Sequence, residues 1–304
     1  MTGICDGRVV IVTGAGRGIG RAHALAFAAE GAAVVVNDYG VSLNGEQATS
    51  VPAQQVVDEI LGAGGKAVAN ADDVADWAGA ERLIHTALEN FGRLDVLVNN
   101  AGFLRDRMLA NLSEEEWDAV IRVHLKGHFA PMRHAAAHWR AESKAGRQPD
   151  ARVINTSSGA GLMGSVGQGN YSAAKAGIAA LSIVAAAEFA RYGVTVNAIA
   201  PAARTRMTEA AFADTMAKPD PATHAFDAMA PENISPLVVW LGSAQSAGVT
   251  GRVFEVEGGK VSLADGWQHG PQTDKGARWV PAELGPVVTE LLAKAPAPAP
   301  VYGS

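Results

Sequence analysis

Apolar positions in this chain come as short unbroken runs, separated by stretches with helical spacing. Residues 9–12 form a β-branched run that ends at a glycine-rich turn. The helical pattern RAHALAFAAE then reaches Glu30, Gly31 stops it, and Val34, Val35 and Val36 make a second strand. The alternation repeats with a helix at 54–61, a strand at 66–69, a helix at 76–91 and a strand at 94–98. A long helix, opened by a capping box at Ser113 and Glu116, is predicted to run to about residue 140. Beyond it the pattern gives a strand at 152–155, a helix at 171–192, a strand at 194–199, a helix at 235–241 and a strand at 252–256. Seven strands alternating with helices require parallel pairing through right-handed crossovers, with both sheet faces covered. The expectation is one doubly wound α/β domain over residues 1–260, built on a seven-stranded parallel sheet. Residues 261–304 leave the pattern, and the closing APAPAPVYGS reads as an extended, mobile end.

Composition narrows the function classes. With 48% hydrophobic and 18% charged residues among 304, the chain is not of the disordered class. The 25 basic residues against 31 acidic ones, net charge −6, offer no basic surface for nucleic acid. Cys5 is the one cysteine, which excludes an intrachain disulfide and suits a reducing compartment. The longest low-polarity stretch, 173–187, holds Lys175 and Ser182 and falls short of the roughly 20 apolar residues a membrane span needs. A strand-like run starting at Arg8 leaves little room for a signal peptide, so a cytoplasmic protein without a membrane partner is expected.

The first strand runs into TGAGRGIG at 13–20. Gly14, Gly18 and Gly20 allow a tight turn and a close approach of backbone to a pyrophosphate at a helix N-terminus, with Arg17 and Ile19 in the same loop. The spacing differs from G-x-G-x-x-G, but strand before and helix after are the context a Rossmann-like dinucleotide site requires. Asp38 follows the second strand, 18 residues past Gly20, where a carboxylate meets the adenosine ribose hydroxyls. No Lys or Arg occurs between Asn37 and Gly65, so a 2′-phosphate would face Asp38 without a cation from that segment. Arg17 pulls the other way. The expected cofactor is NAD rather than NADP.

Tyr171 and Lys175 are four apart on one helix face, Ser158 lies 13 residues upstream just after the fifth strand, and NNAG at 99–102 ends the fourth strand on the same edge. Together these motifs, with the Asp73-Val74 pair and the Pro201 loop, resemble the short-chain dehydrogenase/reductase family over residues 7–259. The resemblance implies hydride transfer between a nicotinamide and a carbinol or carbonyl carbon. Tyr171 would be the general acid/base, Ser158 would hold the substrate oxygen, and Lys175 would bind the nicotinamide ribose. An adjacent ammonium should favour the phenolate, since free tyrosine titrates near 10. Asn100, with Ala101 and Gly102 beside it, would contact the ribose, and Asp73 and Val74 would flank the adenine. Ala202, Ala203, Arg204 and Thr205 would offer backbone groups to the carboxamide, although many members carry glycine at Ala202. His124, in RVHLKG, stands where most members have a proton-relay asparagine.

Several stretches, among them VVVND at 34–38, LRDRM at 104–108 and GQGNYSAAKAG at 167–177, are most similar to the (3R)-hydroxyacyl-CoA dehydrogenase module of multifunctional β-oxidation enzymes. The NNAG-x-x-R-D stretch is shared with 3-oxoacyl-carrier-protein reductases. A hydroxysteroid dehydrogenase and a non-catalytic dinucleotide sensor are the other readings, the sensor disfavoured because Ser158, Tyr171 and Lys175 are all present. His124, His128, His134 and His138 lack H-E-x-x-H spacing and a cysteine partner, so no metal site is expected. Ala-rich outer faces at 135–137 and 185–187 predict a homodimer or homotetramer.

Overall fold

The computed structural model describes residues 3–40, 52–205, 208, 216–220, 226–264 and 266–303. Its strands are β1 (Val9–Thr13), β2 (Ala33–Asn37), β3 (Lys66–Asn70), β4 (Val96–Asn99), β5 (Ala151–Thr156), β6 (Val194–Ala202), β7 (Val253–Glu257) and β8 (Lys260–Ala264). They form one sheet in the order β3-β2-β1-β4-β5-β6-β7-β8. The first seven pair in parallel. The eighth, absent from the seven-strand expectation, pairs antiparallel with β7 and carries the sheet to Ala264. Its residues are almost all exposed, so it lacks the unbroken apolar run of a doubly covered strand.

Successive side chains on a strand point to opposite faces, and both faces are buried here. Val10, Val12, Val34, Val36, Val96 and Val98 pack beneath α1 (Gly18–Ala29), α2 (Pro52–Gly62) and the helix Ser235–Gly242. Val9, Ile11, Val35, Leu97, Val153 and Val196 face α3 (Trp77–Phe91), α5 (Gly127–Lys144) and α7 (Gly169–Phe189). In chain order α4 (Glu114–Ile121) precedes α5, α6 (Gly159–Met163) precedes α7, Ser235–Gly242 is α8 and Leu284–Lys294 is α9.

The long predicted helix is two helices joined by a π-helical turn, Arg122–Lys126. The Ser113–Glu116 capping box opens α4 as expected. Pro131, inside α5, has no N–H to give the carbonyl one turn back. A widened turn of this kind redirects the side chains it holds, and it holds His124. With the 3-10 turn Ala190–Tyr192, α7 is long and apolar enough to cross a membrane. Here it packs on the sheet instead, with Asn170, Lys175 and Ser182 buried along it.

The outer faces of α5 and α7 enclose a groove of about 660 Å³, lined by Phe129, Ala136, Ala137, Leu181, Val184 and Ala187 among others. Phe129, Ile183 and Val184 are exposed on this side.

Candidate active site

The strand order reverses direction between β1 and β4, and the crevice outside the carboxyl ends of such strands is where open α/β sheets bind ligands. A cavity of about 640 Å³ lies there. Its floor is set by how closely two backbone turns approach. A Cβ on Gly20 would stand 2.2 Å from the Gly14 carbonyl oxygen, and one on Gly14 would stand 2.8 Å from Ala101 Cα. Gly14 also has φ +63°, in the left-handed region. Both glycines are therefore steric requirements. Thr13 ties the two turns together: its Oγ1 accepts from the N–H groups of Asn100 (2.9 Å) and Ala101 (3.1 Å). Asn100 Nδ2 returns a bond to the Thr13 carbonyl at 3.0 Å.

These residues fit a dinucleotide. Helix α1 starts at Gly18 with no side-chain cap, leaving its first N–H groups for an anionic group. Arg17, Gly18, Ile19 and Gly20 line the cavity beside Asp38, Asp73, Val74, Asn100, Ala101 and Gly102. Asp38 Oδ2 accepts from Gly16 N–H at 2.9 Å and Oδ1 from Gly40 N–H at 2.8 Å, which fixes the carboxylate at the end of β2. Asp73 accepts from Ala75 N–H at 2.8 Å and pairs with Arg122 of the π-turn.

At the other end of the cavity stand Tyr171, Lys175 and His124. Lys175 is buried, and its Nζ donates to the Thr156 carbonyl at 2.6 Å while lying 5.5 Å from the Tyr171 ring centre. Burial lowers its pKa to about 7. Burial raises that of Tyr171; a hydrogen bond with the Ser158 hydroxyl lowers it and the Asp106 carboxylate raises it further. The net direction is opposite to that expected from a neighbouring ammonium. Desolvation outweighs the Ser158 hydrogen bond, and the Lys175 ammonium, lying over the ring and hydrogen-bonded to the Thr156 carbonyl, does not reverse it. Ser158 caps α6, accepting from Ala160 N–H at 3.2 Å.

His124 is buried edge-on to Tyr171, with ring centres 5.1 Å apart. Its Nε2 lies 2.6 Å from the Phe103 carbonyl oxygen and 3.1 Å from the Phe103 nitrogen. Nε2 donates to that carbonyl in one tautomer and accepts from the Phe103 N–H in the other, while the buried Nδ1 has no hydrogen-bond partner among the described residues. Burial, with the nearby Lys175 charge, lowers the imidazole to about 3, and its bond with the Phe103 backbone offsets this in part. At neutral pH the ring is therefore neutral. Gly102 makes room for it, since a Cβ there would stand 2.2 Å from His124 Cε1.

Of the carboxamide loop, Pro201, Ala203 and Thr205 line the cavity. Arg204 turns away, paired with Asp227, and its N–H is spent on the Met229 carbonyl at 2.7 Å. The Thr205 N–H donates to Thr208 Oγ1 at 2.7 Å, so these two amides are already engaged. Arg206 and Met207 of the RTRMT stretch lie outside the described residues. Sequence reasoning missed Thr13, Thr156 and Asn170, whose Nδ2 donates to the carbonyls of Arg105 (3.1 Å) and Glu116 (3.3 Å). Only the adjacency of Thr13 to Gly14 and of Asn170 to Tyr171 could have flagged them.

Fold and cleft define a dinucleotide-dependent oxidoreductase architecture, and comparison with known proteins gives the family. The short chain dehydrogenase model matches residues 8–215, and the chain belongs to that family, whose members use nicotinamide cofactors. It is 46% identical over 299 residues to hydroxyacyl-CoA dehydrogenase ChsB1 of Mycobacterium tuberculosis, covering 95% of this chain and 89% of that one. It is 46% identical over 256 residues to peroxisomal multifunctional enzyme type 2 of Mus musculus; the match takes in 84% of this chain but only 32% of that longer protein. A 3-oxoacyl-[acyl-carrier-protein] reductase of Synechocystis is 42% identical over 256 residues, covering 84% and 97%. A crystal structure of a short chain dehydrogenase from Mycobacterium avium superposes with TM-score 0.89 at 69% identity, covering 99% of this chain and 100% of that one.

The contact between Gly102 and His124 is open to a double-mutant cycle. Gly102→Ala is expected to cost about 1–3 kcal/mol in urea unfolding by overpacking the ring. In a His124→Ala background it should cost less than about half as much, and equal costs in the two backgrounds would contradict the contact.

Proposed function

We propose that this chain is an NAD-dependent dehydrogenase of secondary alcohols, acting on 3-hydroxyacyl-CoA thioesters through Ser158, Tyr171 and Lys175. The observation that carries this reading is that Tyr171 and Lys175 meet at one end of the cavity whose other end is the glycine cradle, with Ser158 hydrogen-bonded to Tyr171. The nicotinamide, when bound, supplies the hydride acceptor. The chain holds the carbinol oxygen at Ser158, and Tyr171, once it has given up its own phenolic proton, takes the carbinol proton as the phenolate. Lys175 holds the nicotinamide ribose, and its charge stabilises the phenolate before that carbinol proton is taken up. His124 steadies the 102–103 turn through Nε2, and its buried Nδ1, without a partner among the described residues, is the atom through which it would take part in proton relay. Tyr171→Phe should abolish turnover and leave NAD affinity nearly unchanged by fluorescence titration; retention of more than a few per cent of kcat would remove the assignment.

The thioester substrate rests on the relatives, and the reductase of Synechocystis supports a second reading, reduction of a 3-oxoacyl carrier-protein thioester. A hydroxysteroid is the third substrate class, and a steroid-derived acyl chain belongs to the first. Asp38 weighs toward NAD and against an NADPH-dependent reductase, because its fixed carboxylate lies where a 2′-phosphate would sit. Initial rates with both cofactors across 3-hydroxyacyl-CoAs and hydroxysteroids test the reading. We expect a preference for NAD on the order of a hundredfold in kcat/KM. Equal use of both would mean that Arg17 prevails over Asp38.

The same proposal includes assembly through the α5–α7 groove. Its apolar rim and small side chains suit close helix packing against a second copy around a two-fold axis. Sedimentation equilibrium at micromolar concentration should give a dimer or tetramer, and a single species at the 31.3 kDa chain mass refutes it.

A further inference from the structure

Beyond Ala264 the chain leaves the body of the molecule. No described residue from 266 to 303 is buried, Trp267 is fully exposed, and α9 buries none of its side chains. The arm nevertheless returns at its end to one place. Tyr302 N–H donates to the Gly164 carbonyl at 3.2 Å, and Val166 N–H donates to the Tyr302 carbonyl at 2.9 Å. These two bonds set Tyr302 in a short parallel bridge with Ser165, in the 164–168 loop that follows α6. The Tyr302 ring covers Gly159, the residue after Ser158, closely enough that a Cβ there would stand 2.9 Å from Cε2. Val301 covers Gly164.

The segment facing that loop is equally apolar and equally exposed. Arg107 N–H donates to the Gly167 carbonyl at 2.7 Å, and Leu109 packs on Gly169, two residues before Tyr171. Met108, Leu109, Met163, Val166, Val301 and Tyr302 are all exposed, an apolar rim on the segments that meet α6 and the start of α7, the elements that follow Ser158 and carry Tyr171. Exposed apolar side chains gathered beside the elements that carry a polar reaction centre offer a surface for an apolar ligand.

We infer that this rim receives the acyl chain of the substrate and that Tyr302, carried in by the C-terminal arm, determines which chain lengths are accepted. The inference rests on the proposed hydroxyacyl thioester activity and adds the part of the site that reads the acyl group. A short acyl group ends before the rim, whereas a long or polycyclic one lies against the Tyr302 ring. Loss of that ring removes contact from long substrates alone.

The test compares wild type, Tyr302→Ala and Tyr302→Phe on NAD-linked oxidation of 3-hydroxyacyl-CoAs from four carbons to sixteen. Tyr302→Ala should lower kcat/KM for the sixteen-carbon substrate about tenfold or more, mainly through KM, and leave the four-carbon substrate and the NAD Kd unchanged. Tyr302→Phe should behave as wild type. A uniform loss at all lengths, or none, overturns the inference. Calorimetric binding of palmitoyl-CoA separates this result from failure of the activity itself. A wild-type enzyme that binds palmitoyl-CoA, with affinity about tenfold weaker in Tyr302→Ala, upholds the rim even if no thioester is oxidised. Equal affinity in the two proteins, or no binding by wild type, overturns it.

Discussion

The candidate site depends on one backbone contact, the approach of the turn after β1 to the turn after β4. Strands β1 and β4 are neighbours in the sheet, so the sheet brings both turns to the same edge. Thr13 then locks them, its single hydroxyl oxygen accepting from two successive N–H groups. Gly14 is what that distance requires, since its Cβ would overlap the Ala101 backbone, while a Cβ on Gly20 would meet the Gly14 carbonyl within the first turn and the Asn100 amide across from it. The same approach leaves the first amides of α1 facing the cavity, and it fixes where Asn100, Ala101 and Gly102 stand. Everything beyond, including the seat of His124 against Gly102, inherits its position from this contact.

At the opposite end the governing effect is burial. Lys175 is enclosed where α6 packs on α7, because Gly161 lets the backbone of α6 come within contact of the lysine stem. Its ammonium is satisfied by one carbonyl, that of Thr156, while the Ser157 hydroxyl donates to the Lys175 carbonyl at 2.8 Å. A buried cation with one close acceptor loses proton affinity, which is why it titrates near 7 and not near 10. Tyr171 is displaced the other way by the same enclosure, its neutral form being favoured. Enclosure thus favours the uncharged form of each group and draws their proton affinities apart, so a phenolate at Tyr171 depends on charge brought into the site.

How much of this could be read from the sequence follows from what each feature does to the pattern. The central parallel strands are buried on both faces and announce themselves as runs such as VVIV and AVVV, while β3 and β7, nearer the edges, are only partly buried. The eighth is an exposed edge, and KVSLA resembles any half-polar loop. The π-turn was invisible because a widened turn changes no residue type; Arg122 to Lys126 keeps a helical composition throughout. Ser158, Tyr171 and Lys175 were legible only because their spacings coincide with a family pattern. Thr13 and Thr156 act through a hydroxyl and a carbonyl inside apolar strands, where composition carries no sign of a partner. The Tyr302 bridge was hidden for a different reason: its bonds are made by backbone atoms, and a Pro-Ala repeat before it reads as an end without contacts.

The balance between Asp38 and Arg17 turns on rigidity more than on charge. Two N–H groups, from Gly16 and Gly40, hold the two oxygens of Asp38, so the carboxylate cannot rotate away from whatever approaches the end of β2. A Cβ on Gly16 would stand 2.7 Å from Oδ2, so the loop itself is shaped around the acid. Arg17 projects from the next residue on a long flexible stem, and no hydrogen bond or ion pair fixes it among the described residues. To attract a phosphate it must give up conformational freedom, at a cost that approaches 2 kcal/mol for so long a side chain. The repulsion from Asp38 carries no such entropic discount, because its geometry is already set. A pre-placed acid opposed by an unplaced base favours ribose hydroxyls, which can donate to the carboxylate, over a phosphate, which cannot.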